Sequence, residues 1–165
     1  MFAARICNRF WKILSLSRSK KHLKVVNLVA PTLNDFDKML GSFIDWMLKE
    51  VGPDVSLHFS RFHPNYRMPN LPSTQVSTLE KARDMEMGRG LNFVYISNVP
   101  NHPGNSTYCP RCKKAIIKQQ RFFVGEIAMK HGNCAHGSRP RLMPKTGMLR
   151  LRFVIQLLRP IRAAH

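Results

Sequence analysis

The stretch from Val55 to Tyr66 constrains the fold most, because it begins as an apolar run and ends in a polar cluster. Its first part is rich in Val, Leu and Phe and predicts a buried strand over residues 55–62. His, Arg, Asn and Tyr residues follow where this strand would end. Ligands of α/β proteins bind at the carboxyl ends of the strands. The stretch is therefore a candidate for the ligand-binding end of a sheet, although a core strand running into an ordinary surface loop has the same pattern.

A strand and a helix are predicted before this stretch. Leu23–Ala30 is mostly apolar and β-branched, which is typical of a buried parallel strand. Asn34 is a good N-cap for a helix that follows. The apolar residues from Met39 to Val51 recur at helical spacing and form one stripe of an amphipathic helix, which Gly52 is expected to end.

A second helix and a third strand are predicted after it. Residues 77–80 fit a capping box, and Gly88 or Gly90 would end the helix. Its inner face is predicted to consist of three apolar residues, Leu79, Ala82 and Met85. Residues 91–99 predict the next strand. The order strand, helix, strand, helix, strand indicates an α/β fold with right-handed crossovers and a parallel sheet.

The formal net charge of +18 is concentrated in two flanks. Residues 1–22 carry six Lys or Arg and residues 137–165 carry seven, with no acid in either, whereas residues 23–136 carry 14 basic and nine acidic residues. Basic flanks can contact nucleic acid or an anionic membrane, but these lack the aromatic residues of a base-stacking surface, so solvated ends are the alternative. No run approaches the ~18 apolar residues of a membrane span.

Three cysteines have the spacing of metal ligands. Cys109 and Cys112 are separated by two residues, and Cys134 follows 22 residues later, which predicts a zinc knuckle within residues 101–136. His136 is the preferred fourth ligand, although it is closer to Cys134 than usual, and His131 is the second choice. Free buried thiols are the simpler alternative. Because this spacing is unlike a secreted disulfide framework, we expect a reducing, cytoplasmic setting.

Residues 23–136 resemble the C-terminal part of radical S-adenosylmethionine enzymes of the AmmeMemoRadiSam-system type, which are similar to the pyruvate formate-lyase activating enzyme. Residues 26–35, 57–66, 78–83 and 94–110 carry the resemblance. It implies the last strands of a partial (β/α) barrel followed by a zinc-ribbon-like appendage. It also implies that S-adenosylmethionine lies across the carboxyl ends of the strands, where a [4Fe-4S] cluster cleaves it. By this resemblance Val29 would border the adenosine and His63 would face S-adenosylmethionine; Arg61 would add charge near the carboxylate.

The chain also departs from this family. The family's three-cysteine cluster motif is absent, since Cys7 stands alone, and Gly137 occupies the place of a fourth knuckle cysteine. The glycine-rich strand that holds the amino group of S-adenosylmethionine is missing too. We therefore expect a truncated protein that is inactive alone and whose three barrel strands leave an unpaired edge. The alternatives are the second half of a split enzyme, completed by a separate chain with the N-terminal barrel half, and a basic zinc-knuckle module that binds nucleic acid.

Overall fold

The computed structural model describes residues 23–65, 68–120, 123–130, 133–137 and 152–156. The predicted N-terminal flank, residues 1–22, and most of the predicted C-terminal flank lie outside the described residues. Three strands alternate with two helices in the first part of the chain. The strands are β1 (Leu23–Val29), β2 (Ser56–Arg61) and β3 (Phe93–Ser97), and the helices are α1 (Asp37–Glu50) and α2 (Val76–Gly88).

The three strands form a parallel sheet, as predicted. β2 lies in the middle of the trio, with Val25 opposite Leu57 and Leu57 opposite Val94. A further strand, β9 (Arg152–Gln156), pairs in parallel with the other side of β1. The sheet order is β3-β2-β1-β9, so one of the two edges of the predicted three-strand unit is paired. The pairings among the described strands do not close into a barrel.

The main core lies between the sheet and the two helices. β-strand side chains alternate between the two faces, so one face of each strand can supply apolar residues to the helices. The fully buried members of this core are Val25, Val29, Leu40, Ile44, Met47, Leu57, Phe59, Leu79, Ala82, Leu91, Val94 and Ile96. Met85 packs against them only partly buried. No helix of the described residues is long and apolar enough to cross a membrane.

Both predicted N-caps are wrong. α1 begins at Asp37 after Phe36, and the predicted cap Asn34 lies earlier and is buried. Its Oδ1 accepts the Ala30 N–H at 2.7 Å and its Nδ2 donates to the Leu28 carbonyl at 2.8 Å. Asparagine side chains compete with the backbone for such local hydrogen bonds. Asn34 therefore stabilises the turn at the end of β1 and does not cap α1.

The predicted capping box, residues 77–80, lies inside the second helix and not at its start. α2 begins at Val76, and its N-cap Gln75 makes no capping hydrogen bond through its side chain. Thr74 instead fixes the entry to the helix, because its backbone N–H donates to the Phe62 carbonyl at 3.1 Å. The predicted helix ends are confirmed: Gly52 follows α1 with φ +102° and Gly90 follows α2 with φ +109°, conformations that glycine adopts without strain.

One acidic side chain is buried in the inner face of α2. Glu86 has 0% exposure and neither carboxylate oxygen has a hydrogen-bond partner. Burial raises the pKa of Glu86 to about 9, and the nearby Arg89 guanidinium opposes this shift only partly. The Arg89 side chain is held on α1 by the Asp45 carboxylate at 2.6 Å. Glu86 is therefore neutral at pH 7 in the folded chain.

Short antiparallel strands follow the parallel sheet. β4 (Thr107–Tyr108), β5 (Ala115–Gln120) and β6 (Phe123–Ile127) form one sheet, and β7 (Met129–Lys130) pairs with β8 (Asn133–Cys134). This appendage contacts the parallel sheet directly. The Tyr95 hydroxyl lies 3.1 Å from Thr107 Oγ1, and the Arg83 guanidinium lies over the Tyr108 ring.

Candidate metal centre and sheet edge

A tight turn brings the first two cysteines together. The Cys109 N–H donates to the Lys114 carbonyl and the Lys113 N–H donates to the Cys109 carbonyl, both at 2.9 Å. Lys113 has φ +59°, the left-handed conformation that lets the chain reverse over so few residues. The two-residue spacing of Cys109 and Cys112 thus becomes a knuckle, as their spacing predicted.

The antiparallel strands return the third cysteine to this knuckle. The Ala128 N–H donates to the Ile116 carbonyl at 2.8 Å, and the Ala135 N–H donates to the Ala128 carbonyl at 3.1 Å. These bonds place Cys134 beside Cys112, with their Sγ atoms 3.7 Å apart. The sulfur of Cys109 completes a group in which all three Sγ atoms lie within 4.8 Å of one another. The predicted convergence of the three cysteines is confirmed.

The geometry of the thiol group fits a zinc ion. Thiolates bound to tetrahedral zinc at about 2.3 Å lie about 3.8 Å apart, close to the 3.7 Å between Cys112 and Cys134. None of the three cysteines forms a disulfide bond. Burial raises the pKa of the Cys134 thiol, and the backbone N–H of His136 acts in the opposite direction. Because zinc binds thiolates, it would displace the protons of the three thiols as it binds.

The predicted fourth ligand is not part of the thiol group. The His136 side chain is exposed, and the residues that lie within 4.8 Å are the three cysteines alone among those the structure describes. The backbone N–H of His136 is near enough to the Cys134 thiol to lower its pKa, against the larger effect of burial. His136 as fourth ligand stays a prediction, and His131 lies outside the described residues.

Thr74 ties together the carboxyl ends of the first two parallel strands. Its hydroxyl donates to the Val29 carbonyl at 2.6 Å and accepts the Phe62 N–H at 3.1 Å. Its carbonyl accepts from Arg61 Nε at 2.8 Å. Val29 and Arg61, both predicted to lie near a ligand, are thus at the same edge of the sheet.

The third residue predicted at this edge is His63. It is exposed, with Nδ1 3.3 Å from Ser73 Oγ and Nε2 3.5 Å from the Asn98 carbonyl. Val29 is fully buried in the core, and Arg61 shares the helix-facing side of β2 with Phe59 by strand alternation. The structure therefore brings the three residues to one edge, while their contacts with S-adenosylmethionine stay predictions.

A polar cluster on the other face of the sheet was not predicted. The His58 ring stacks on Tyr95 with centroids 4.5 Å apart, and His58 Nδ1 lies 3.2 Å from Ser97 Oγ. The sequence of β2 contained a signal for this polar cluster, because Ser56, His58 and Ser60 alternate with apolar residues. This alternation indicates a strand with one polar face, whereas we had predicted a buried strand from its apolar residues.

Two residues at the carboxyl edge have an unfavourable backbone conformation. Thr32, after β1, has φ +64°, and Asn98, after β3, has φ +63°. A β-branched residue rarely adopts this region, whereas asparagine tolerates it better. The Thr32 conformation is held by its N–H, which donates to Asp35 Oδ1 at 2.9 Å. Strain of this kind is found where the surrounding structure fixes the loop, often at functional sites.

Comparison with known proteins gives one relative and no family. No family model matches the chain, and no solved structure matches it. An uncharacterized protein of Methanocaldococcus jannaschii, MJ0808, is 43% identical over 100 residues. The match covers 61% of this chain and 30% of the relative, so the chain spans less than a third of the length of that protein.

Proposed function

We propose that Cys109, Cys112 and Cys134 hold a structural zinc ion that stabilises the antiparallel appendage. The observation that carries this proposal is the 3.7 Å separation of the Cys112 and Cys134 sulfurs within a group of three thiols. Two of these cysteines are buried against Ile116, which is the setting of a closed structural site. In this proposal the imidazole of His136 supplies the fourth ligand after a change of side-chain rotamer.

Zinc content of purified variants tests the site. We expect one zinc ion per chain in the wild type and in Cys7→Ser, which leaves Cys109, Cys112 and Cys134 in place. Cys112→Ser should lose most of the zinc, because one thiolate is removed. His136→Ala should weaken zinc binding without abolishing it. Equal, sub-stoichiometric zinc in the wild type and Cys112→Ser would show that the thiols are not a zinc site.

We also propose that the parallel sheet is the rear part of a radical S-adenosylmethionine enzyme. The strands run in the same direction, as the strands of such a barrel do. Val29, Arg61 and His63 lie at the carboxyl edge of these strands. The relative is longer than the part that matches, since this chain covers 30% of it. In this proposal a separate chain with the N-terminal barrel half supplies the iron–sulfur cluster, and this chain supplies one side of the S-adenosylmethionine site.

Anaerobic reconstitution tests the second proposal. The chain alone should not assemble a [4Fe-4S] cluster that cleaves S-adenosylmethionine, because the three-cysteine motif is absent. Visible absorption, electron paramagnetic resonance and assay of 5′-deoxyadenosine measure this. A cluster with cleavage activity in the chain alone would contradict the proposal. Binding of nucleic acid that falls steeply with salt, without any response to S-adenosylmethionine, would support a basic binding module instead.

A further inference from the structure

The three thiols of the zinc knuckle differ in their access to solvent. Cys109 has 0% exposure and Cys134 has 6%, whereas Cys112 is only half-buried. The sulfurs of Cys112 and Cys134 lie 3.7 Å apart, within a group whose three sulfurs are all within 4.8 Å of one another. A small oxidant in solution therefore reaches Cys112 most easily, and Cys134 is beside it when it reacts.

We infer that Cys112 is the site at which a peroxide oxidises this protein, and that Cys134 resolves the product as a disulfide. This inference rests on the same three thiols as the proposed zinc site, but it does not require zinc to be bound. It assigns different roles to the three cysteines. Cys112 is attacked first, Cys134 is the resolving thiol, and Cys109 stays reduced because solvent does not reach its sulfur.

The reaction has two steps. In the first, the Cys112 sulfur attacks one oxygen of hydrogen peroxide; an S–O bond forms, the O–O bond breaks, and the departing hydroxide takes a proton to become water. In the second, the Cys134 sulfur attacks the sulfenic sulfur of Cys112; the S–S bond forms and the S–O bond breaks to release a second water. Overall two thiols lose two electrons and two protons, and one peroxide is reduced to two waters.

Only a small movement is needed to form this disulfide. Bonded sulfurs are about 2.0 Å apart, so the two Sγ atoms must approach by about 1.7 Å from their present 3.7 Å. Cys112 lies in the turn and Cys134 in the two-residue strand β8, where χ1 rotation can supply most of this distance. A disulfide would remove two of the three thiolates, so a bound zinc ion would be released as the disulfide forms.

Peptide mapping after peroxide treatment tests the assignment. The Cys7→Ser protein is made zinc-free with a chelator under anaerobic conditions, treated with one equivalent of hydrogen peroxide, blocked with a maleimide and digested with trypsin. Arg111 lies between Cys109 and Cys112, and several lysines precede Cys134, so trypsin places each cysteine on a separate peptide. We expect the disulfide-linked pair to contain Cys112 and Cys134, with Cys109 carrying the maleimide.

Two variants provide the kinetic comparison. Cys109→Ser retains the reacting pair and should lose thiols to peroxide at a rate within about twofold of the parent. Cys112→Ser should react slower by on the order of tenfold, because the accessible thiol is gone. A predominant disulfide that contains Cys109, a dominant sulfinic acid without a disulfide, or an undiminished rate in Cys112→Ser would overturn the inference. The peptide map of the parent protein decides the pairing even where a variant fails to fold.

A zinc-loaded sample separates this inference from the proposed function. If the chain holds zinc, a colorimetric zinc indicator should report its release in step with the Cys112–Cys134 disulfide. If the chain holds zinc but releases it together with a disulfide between a different pair of cysteines, only the proposed oxidation site is refuted. A chain that never holds zinc but forms the Cys112–Cys134 disulfide would refute only the zinc proposal.

Discussion

Replacing Glu86 by glutamine should remove a pH-dependent loss of stability. The folded chain raises the pKa of Glu86 from its ordinary 4.5 to about 9, because the carboxyl is buried without a hydrogen-bond partner. Folding therefore favours the protonated form. The stability that this carboxyl contributes is complete below about pH 4.5 and is lost as the pH rises through about 9, where the folded carboxyl must also ionise.

The size of the effect follows from the pKa difference. Between these two pKa values the unfolded chain is ionised and the folded chain is not, so the free energy of unfolding falls by about 1.4 kcal/mol per pH unit. From about pH 5.5 to about pH 7.5 the wild type should lose roughly 2–3 kcal/mol relative to Glu86→Gln. Glutamine has nearly the same shape as the protonated acid, so the comparison isolates the titration.

Urea unfolding at several pH values measures this difference. Both proteins are kept zinc-free with a chelator so that metal binding does not add its own pH dependence. Glu50→Gln is the matched control, because it makes the same chemical change at an exposed position at the end of α1. Curves for the wild type and Glu86→Gln that stay parallel within about 0.5 kcal/mol would refute the reasoning, since they would mean that Glu86 ionises in the folded chain as readily as in the unfolded one.

Two further changes test the turn at the end of β1. Asn34→Ala should lower the free energy of unfolding by about 2–3 kcal/mol, because the buried Ala30 N–H loses its acceptor. Asn34→Asp keeps this acceptor but places a carboxylate oxygen against the Leu28 carbonyl, so it should also lose stability. Unchanged stability in either variant would contradict this account. Thr32→Gly should raise the free energy of unfolding by about 1 kcal/mol, because glycine adopts φ +64° without strain. Thr32→Ala is the control and should gain less than glycine; urea unfolding measures all four variants.

The regular elements were predictable because their signals are local. The apolar periods located β1, β2 and β3 and both helices, and Gly52 marked the end of α1. Cysteine spacing predicted the knuckle, because only a few backbone conformations join two metal ligands separated by two residues. These parts of the fold depend on neighbours along the chain, which a single sequence contains.

The parts that were missed depend on tertiary contacts. Asn34 and Thr74 have side chains that suit a helix cap or a turn equally well, and distant backbone groups at the end of β1 and β2 decide between the two. The pairing of β9 with β1 could not be predicted, since parallel pairing carries no turn signal. Glu86 was detectable in principle, because it continues the helical stripe of Leu79 and Ala82 into the core.

The position of β1 between β2 and β9 has a consequence for the order of folding. Lys24 pairs with Ser56, whereas Leu23 pairs with Arg152, roughly four times farther along the chain. Closing the longer loop costs about 1.2 kcal/mol more chain entropy, so β1 joins β2 first and β9 arrives afterwards. In the interval the outer edge of β1 presents unpaired backbone groups to any other nascent strand. Refolding at high protein concentration then becomes a competition between the chain's own β9 and a strand from a neighbouring molecule.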